Sequence, residues 1–475
     1  MKIALLRVPD RGSITADMSD IFDRDLGIHP PLGLLFLSAS LKKLRPGDQV
    51  RVIDCRVLNA DLPETIRLLT DFQPDIIGLT TLTFQLVEVY RFAAQLKEKM
   101  PACRLVLGGP HVHLFPEETL LNPDIDYVVT GEGEFSFPQL VSALAEKREP
   151  SGIPGLFYRD AERKIRSDRP PETIKNLDDV PAPDLQAVPI RNYLSGLTGR
   201  PAGLLMTSRG CPYRCIYCDR PHLGNVFRAH SPQRVISDLK DYLNSGVSEF
   251  HFFDDTFTVQ RSRVLEICRL IRQEKLDISF SARARVNTVD EQLLRAMKPA
   301  GCRMLSFGVE AGNNRSLDAL RKGVTVEQAE NAFRLCRKLR ISTLADFILG
   351  GPGQTAADLE ETIAFSLKLD PDYVQFTVMT PYPGTELYRL GLEQGIIKTD
   401  YWREFAKKPS PDFQTPVWEE NLSRPELVEF FHQAYRRFYR RPKIVFRELF
   451  KIRSGRELFR KAAVGLSVLN TRRKE

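Results

Sequence analysis

The chain has 475 residues, 42% of them hydrophobic and 27% charged, enough for about three domains that each bury a core. Its 8 Cys, five of them scattered singly, exclude a secreted disulfide framework. The net charge of +7 sits at the carboxyl end, where Tyr435 to Glu475 carries 14 Lys/Arg against 3 acidic residues. No uninterrupted apolar run approaches bilayer length, and the amino terminus lacks a small-residue cleavage site, so a cytoplasmic protein is expected.

Residues 1–148 alternate short apolar runs with amphipathic stretches of helical length. The pattern predicts strands at Lys2–Val8, Val50–Asp54, Ile76–Thr80, Arg104–Leu107 and Tyr127–Val129. Helices are predicted at Leu34–Leu44, Pro63–Phe72, Gln85–Lys99 and Phe135–Lys147. This order implies an α/β, doubly wound, Rossmann-like sheet, which binds ligands beyond the carboxyl ends of its strands. The loops there are rich in small and hydroxyl residues: Thr80, Thr81 and Thr83; Gly108-Gly109-Pro110-His111; Thr130-Gly131-Glu132-Gly133-Glu134. Glycines let a backbone approach a large ligand closely. No G-x-G-x-x-G follows the first strand, which argues against an NAD-type domain. His111 and His113 fit either a pocket wall or a cap on the following helix.

Residues 149–195 read as a Pro-rich linker, because seven prolines interrupt any long helix. Within it Ile153–Tyr158 and Lys164–Ser167 can pair as a small hairpin.

A second strand–helix series occupies 196–400. Strands are predicted at Gly203–Thr207, Glu249–Asp254, Ser279–Arg283, Met304–Gly308, Thr343–Leu349 and Tyr373–Met379, with helices between them. Six such units in a row predict a partial (β/α)6 barrel with its site at the strands' carboxyl ends. Cys211, Cys215 and Cys218 follow the first of these strands at spacing C-x3-C-x2-C. Three thiols so spaced can hold three corners of a 4Fe–4S cluster and leave the fourth iron open for chemistry. His222 would instead complete a Cys3His zinc site, the basis of a zinc-stabilised ligand-sensing protein. The later strand ends carry Asp254 and Asp255, Arg283 and Arg285, Glu310, and Gly350-Gly351-Pro352-Gly353. For each charged residue among these a structural salt bridge is the alternative to a ligand contact.

Residues 401–475 form a basic, mostly helical region. Phe438, Tyr439, Ile444, Phe446, Leu449, Phe450 and Phe459 are interleaved with Arg and Lys. Such a helix either packs over the core with a solvated basic face or makes a peripheral contact with anionic lipid. No nucleic-acid-binding module is evident.

The runs Ser208–Asp219, Phe253–Phe257, Gly308–Gly312, Phe347–Gly353 and Thr380–Thr385 resemble cobalamin-dependent radical S-adenosylmethionine (SAM) enzymes. In the first domain Pro74–Thr80, Leu107–His111 and Thr130–Glu134 resemble the cobalamin-binding domains fused to them. One departure is plain: no D-x-H-x-x-G run exists, and His29 lacks the Asp two positions before it. The resemblance therefore implies cobalamin held without a lower protein ligand to cobalt. It further implies a 4Fe–4S cluster on Cys211, Cys215 and Cys218, with SAM chelating the open iron. Tyr217 would lie against the adenine, which the backbone at Gly350 would also approach. Asp254 and Asp255 would meet the SAM amino group, Arg283 or Arg285 its carboxylate, and Glu310 the ribose or methionine. Thr80, Thr81, Thr83, Gly108, Gly109, His111, Gly131, Glu132 and Gly133 would contact cobalamin. The implied activity is C-methylation of an unactivated carbon after SAM is cleaved to a 5′-deoxyadenosyl radical. An external reductant of flavodoxin or ferredoxin type and a small-molecule or lipid-like substrate are expected with it. Relatives that form or rearrange rings in porphyrin or polycyclic lipid pathways, without methyl transfer, supply the alternative.

Overall fold

In the computed structural model, which describes residues 1–9, 13–14, 27–219 and 224–444, two mainly parallel sheets carry the chain. The first holds β1 (Lys2–Arg7), β2 (Gln49–Asp54), β3 (Ile76–Thr80), β4 (Arg104–Gly108) and β5 (Tyr127–Val129), all parallel, in the order β2-β1-β3-β4-β5. Helices Leu32–Leu44, Leu62–Phe72, Leu86–Lys99 and Gly133–Ala145 connect them. Ile3 to Leu6 are all buried, as a strand covered on both faces requires. The predicted strands thus form, and in the order of a doubly wound sheet.

Residues 149–195 are more integrated than linker composition implies. Leu156–Arg159 (β6) and Ile165–Arg166 (β7) form the hairpin, and β6 pairs antiparallel with β5, extending the first sheet. Further on, Ile174, Leu177 and Val180 pack against Leu32 and Phe36 on one side and Leu204 on the other. The prolines stop helices here, while the apolar residues between them fill the seam between the two halves.

The second sheet contains Ala202–Leu205 (β8), Glu249–Phe252 (β11), Ser279–Ala284 (β12), Cys302–Glu310 (β13), Ser342–Leu349 (β14) and Tyr373–Val378 (β15). Each strand pairs parallel with its successor, giving an open barrel of six strand units. Two short strands, Ser208–Arg209 (β9) and Arg228–Ala229 (β10), pair as a ribbon between β8 and β11. Side chains alternate along the strands. Phe250, Phe252, Phe280, Phe307, Phe347 and Phe376 are buried in the core with the surrounding helices, whereas His251, Ser281, Ser306 and Asp346 are half-buried on the other face.

The edge of β15 is closed by the helix Arg424–Tyr439. Tyr435 Oη accepts from Phe376 N (3.0 Å) and donates to Phe376 O (3.2 Å); Tyr439 Oη does the same at Val374 (3.1 and 2.9 Å). Four helical residues advance about 6 Å and two strand residues about 6.6 Å, so tyrosines four apart meet strand positions two apart. An edge strand otherwise presents unpaired backbone groups. This described part of the basic region therefore packs over the core, with Leu427, Phe431, Tyr435 and Phe438 buried. Phe446, Leu449, Phe450 and Phe459 lie outside the described residues. No helix among those described is long and apolar enough to cross a membrane. Tyr435→Phe leaves two buried backbone groups of β15 unsatisfied and should cost roughly 1–3 kcal/mol in denaturant unfolding; a change within error would show that the edge is held by apolar packing alone.

Candidate active site

The Cys loop leaves β9 at the mouth of the barrel. Its middle is pinned by Ile216, whose amide donates to Leu320 O (3.2 Å) and whose carbonyl accepts from Leu387 N (2.9 Å). Ile216 is buried with Leu320, Met379, Leu387 and Trp418. On either side stand Cys215, buried, and Tyr217, half-buried; Cys218 is exposed and Cys211 half-buried. Burial pushes the Cys211 thiol up, while the Tyr213 amide and the Thr256 hydroxyl donate to it and pull it back. Arg285 Nη1 donates to Cys215 Sγ at 3.6 Å, which places a guanidinium beside the sulfur. Among the described residues no three His, Cys, Asp or Glu side chains converge as metal ligands, these thiols included. His222 lies outside the described residues.

Arg285 is thereby committed to the loop: it also lies 3.7 Å over the Tyr213 ring and donates to the Lys322 carbonyl. Arg283 is exposed, its guanidinium 4.3 Å over the Phe253 ring. Of the two arginines expected at the SAM carboxylate, Arg283 is the accessible one.

Glu310 ends β13 in a left-handed conformation (φ 71°), where the register with β14 shifts. Its Oε1 accepts from Tyr217 Oη (2.9 Å) and from Lys322 Nζ (2.6 Å), and Lys322 also donates to Tyr217 Oη (3.1 Å). Burial and the adjacent Glu310 carboxylate hold the Tyr217 hydroxyl well above its usual pKa. Lys322 has no motif signal in the sequence, and only the fold brings it to Glu310.

Two expected SAM contacts are used otherwise. Asp254 is fully buried and accepts from Thr207 N (2.6 Å), Thr207 Oγ1 (2.6 Å) and Ser208 Oγ (2.7 Å), so it braces the chain entering the Cys loop. Asp255 beside it is exposed. Gly350 has φ 83°, and a Cβ there would collide with Leu427 of the helix Arg424–Tyr439; its amide is taken by Gln354 Oε1 (2.9 Å). That glycine admits a packed helix, leaving no free amide for an adenine.

In the first domain the expected loops meet at the ends of β3, β4 and β5. Thr80 and Gly108 pair at the last rung, and Thr81 N donates to Gly108 O (2.8 Å). Gly109 has φ 96°, and a Cβ there would meet Thr80 Oγ1 and Thr81 N at 2.9 Å. His111 is fully buried, bonded through Nδ1 to Thr83 Oγ1 (3.1 Å), and burial lowers its pKa to about 3. His111 Nε2 and Thr81 Oγ1 have no hydrogen-bond partner among the described residues. Buried polar atoms of this kind call for a ligand or water.

Gly131 and Gly133 flank Glu132, which differs from expectation. It is buried and accepts from Arg209 Nη1 (2.7 Å), Arg228 Nη1 (2.8 Å) and Ile174 N (2.7 Å). With three donors on its carboxylate, Glu132 ties its loop to the barrel. His29 lies edge-on to His251 of β11, ring centroids 5.2 Å apart. Burial first, then electrostatic repulsion from His251, Arg56, Arg7 and Arg283, lower its pKa to about 4.

A cavity of about 640 Å³ opens on Cys215 and Cys218. Leu114 and Phe115, just beyond His111, form part of its wall, and Gly384, Tyr388 and Arg403 another part.

Comparison with known proteins agrees with this architecture. The radical SAM superfamily profile matches residues 205–366, and the B12 binding domain profile matches residues 18–141. An uncharacterized methyltransferase of Pyrococcus horikoshii is 37% identical over 426 residues, 89% of this chain and 90% of that protein. The chain belongs to the B12-binding radical SAM enzymes. The anaerobic magnesium-protoporphyrin IX monomethyl ester cyclase of Cereibacter sphaeroides is 29% identical to this radical SAM enzyme, over 87% of the chain and 67% of the cyclase. The fold is shared with the cobalamin-dependent SAM radical enzyme OxsB, solved with aqua-cobalamin and SAM bound (TM-score 0.76, 20% identity, 98% of this chain and 71% of that one).

Membership brings the three groups the sequence implies, a 4Fe–4S cluster, SAM and cobalamin. The residues present fit them. Three thiols share one loop, one beside a guanidinium, and orphaned polar atoms with a tight glycine turn line the first domain's strand ends.

The inner wall of this radical SAM enzyme holds a residue that no sequence motif marks. Asp346, half-buried on β14, accepts from Ser306 Oγ (3.1 Å); burial and the nearby Glu310 push its pKa up to about 7. An unfolded Asp releases its proton near pH 4. The folded state therefore binds more protons between about pH 4 and 7, and stability falls as pH rises through that window. Asp346→Asn should flatten this fall, so its Tm gains on the parent above pH 7; an unchanged Tm-against-pH slope would contradict the assignment.

Proposed function

We propose that this enzyme methylates an unactivated carbon of a polar small molecule, held between the barrel and the first domain. The observation that carries the reading is the cavity against Cys215 and Cys218, part of whose wall is first-domain Leu114 and Phe115, next to His111. Loops suited to two different cofactors thus open toward one space. The methyltransferase relative supports methyl transfer over ring formation, since it is the more similar of the two relatives compared. In this reading 1–148 is the cobalamin domain, 149–195 the connector, 196–400 the radical SAM core and 401–475 the basic helical region.

When bound, the cluster, SAM and cobalamin supply radical generation and methyl donation. The chain's own residues bind and orient. Cys211, Cys215 and Cys218, in one loop, hold the cluster, and Arg285 fixes the Cys215 side chain through its contact with the sulfur. Tyr217, its hydroxyl fixed by Glu310 and Lys322, would contact the adenine. Arg283 and Asp255 reach the methionine end. Thr80, Thr81, Thr83, Gly108, Gly109, His111 and the backbone of Gly131 and Gly133 meet cobalamin. Glu386, Arg389, Asp400 and Arg403 give the cavity a charged, polar lining, which suits a hydrogen-bonding substrate better than a lipid. The enzyme is cytoplasmic in this reading and draws its electron from a flavodoxin- or ferredoxin-type donor.

Anaerobically reconstituted protein should hold about four irons per chain and release 5′-deoxyadenosine from SAM under reduction. With substrate, methyl transfer should yield S-adenosylhomocysteine and 5′-deoxyadenosine in equal amounts. Cys215→Ala should lose the iron and the 5′-deoxyadenosine. If 5′-deoxyadenosine forms with product but no S-adenosylhomocysteine appears, the ring-forming reading replaces this one.

A further inference from the structure

The ribbon of β9 and β10 brackets the Cys loop, and each of its strands sends one arginine into the first domain. Arg209 Nη1 donates to Glu132 Oε1 (2.7 Å) and Arg209 Nη2 to Glu134 Oε1 (2.5 Å). Arg228 Nη1 donates to Glu132 Oε2 (2.8 Å) and to Ile174 O (2.5 Å). The side chains of Arg209, Glu132, Glu134 and Arg228 are 5%, 5%, 8% and 8% exposed. Glu132 lies between Gly131 and Gly133, and Arg209 stands two residues before Cys211.

Cohesion between the halves does not require these charges. The neighbouring seam is apolar, with Leu32 and Phe36 packed on Leu177, Val180 and Leu204. Replacing a buried ion cluster by apolar side chains is often neutral or stabilising, so charge is a costly glue. What a forked guanidinium adds is directional geometry, since each N–H···O bond fixes both distance and orientation. Here that geometry joins two particular loops: the one that follows β5, and the one that carries the thiols.

We propose that Arg209 and Arg228 are positioning residues that lock the cobalamin loop onto the cluster loop, making occupancy of each cofactor site depend on the other. This rests on the assignment of cobalamin to the Gly131–Gly133 loop and of the cluster to the Cys triplet. Displacing residues 131–133 would drag Glu132 against both arginines, and Arg209 transmits the strain along one short stretch of backbone to Cys211. Linkage makes the effect reciprocal: SAM at the cluster changes cobalamin affinity by the same factor that cobalamin changes SAM affinity.

The test uses full-length, anaerobically reconstituted protein. Hydroxocobalamin is titrated by absorbance with and without SAM, and the EPR spectrum of the reduced cluster is recorded with and without cobalamin. In the parent enzyme SAM should change cobalamin affinity by about fivefold or more, and cobalamin should alter the cluster spectrum. Glu132→Gln should still bind both cofactors but lose the mutual dependence; Arg209→Lys, which keeps the charge and loses the fork, should retain part of it. Independent sites in the parent enzyme overturn the proposal whether or not any variant folds. Full dependence in Glu132→Gln overturns it as well. Iron and cobalt contents of the same samples separate the two levels: metal bound at independent sites defeats this inference alone, while absent metal defeats the proposed function with it.

Discussion

Arg209 is buried between Glu132 and Glu134, and the second carboxylate oxygen of Glu132 is closed by Arg228 and the Ile174 amide. Charges removed from water are tolerated when they are paired and hydrogen-bonded, and removing one partner of such a pair costs about 3–5 kcal/mol. That is a large share of the roughly 5–15 kcal/mol by which domains are stable. The geometry has a consequence for the fold. A doubly wound sheet and a parallel barrel each offer ligand sites at the carboxyl ends of their strands. The ion cluster joins a loop from one such end to the loop leaving the other, so the two faces open toward each other.

The rest of the second sheet is arranged around that apposition. Phenylalanines on alternate strand positions are buried with the helices, leaving His251, Ser281, Ser306 and Asp346 on the other face. The irregularity at Gly308/Glu310 turns one carboxylate toward the Cys loop, where Tyr217 and Lys322 receive it. Both margins of the open barrel are covered by something other than a seventh strand. The proline-rich stretch packs beside Leu204 of β8, and two tyrosines satisfy the outer backbone of β15.

Much of this was legible in the sequence because parallel strands read as short apolar runs between amphipathic helices. The observed strands fall within a few residues of the predicted ones in both sheets. The Cys spacing pointed to the cluster chemistry of the family to which the chain belongs. What could not be read was who takes each charge. Glu132 and Arg209 are 77 positions apart, and Tyr217 and Glu310 are 93 apart. Asp254 and Gly350 lie where the motifs predict, yet one carboxylate is filled by the chain beside the Cys loop and the other residue's space by a distant helix. A motif fixes a residue's place on a strand end; hydrogen-bond saturation, which depends on tertiary partners, decides whether it remains available. The linker shows the same limit, since proline content reports the absence of helix and says nothing about burial.

In the proposed arrangement one cavity brings the two cofactor loops together. Pulsed EPR on anaerobic protein carrying cob(II)alamin and the reduced cluster measures the separation of those two spins directly. A strong dipolar coupling is expected, corresponding to a separation no greater than the span of a single shared cavity. Two fully loaded centres that show no coupling would contradict it.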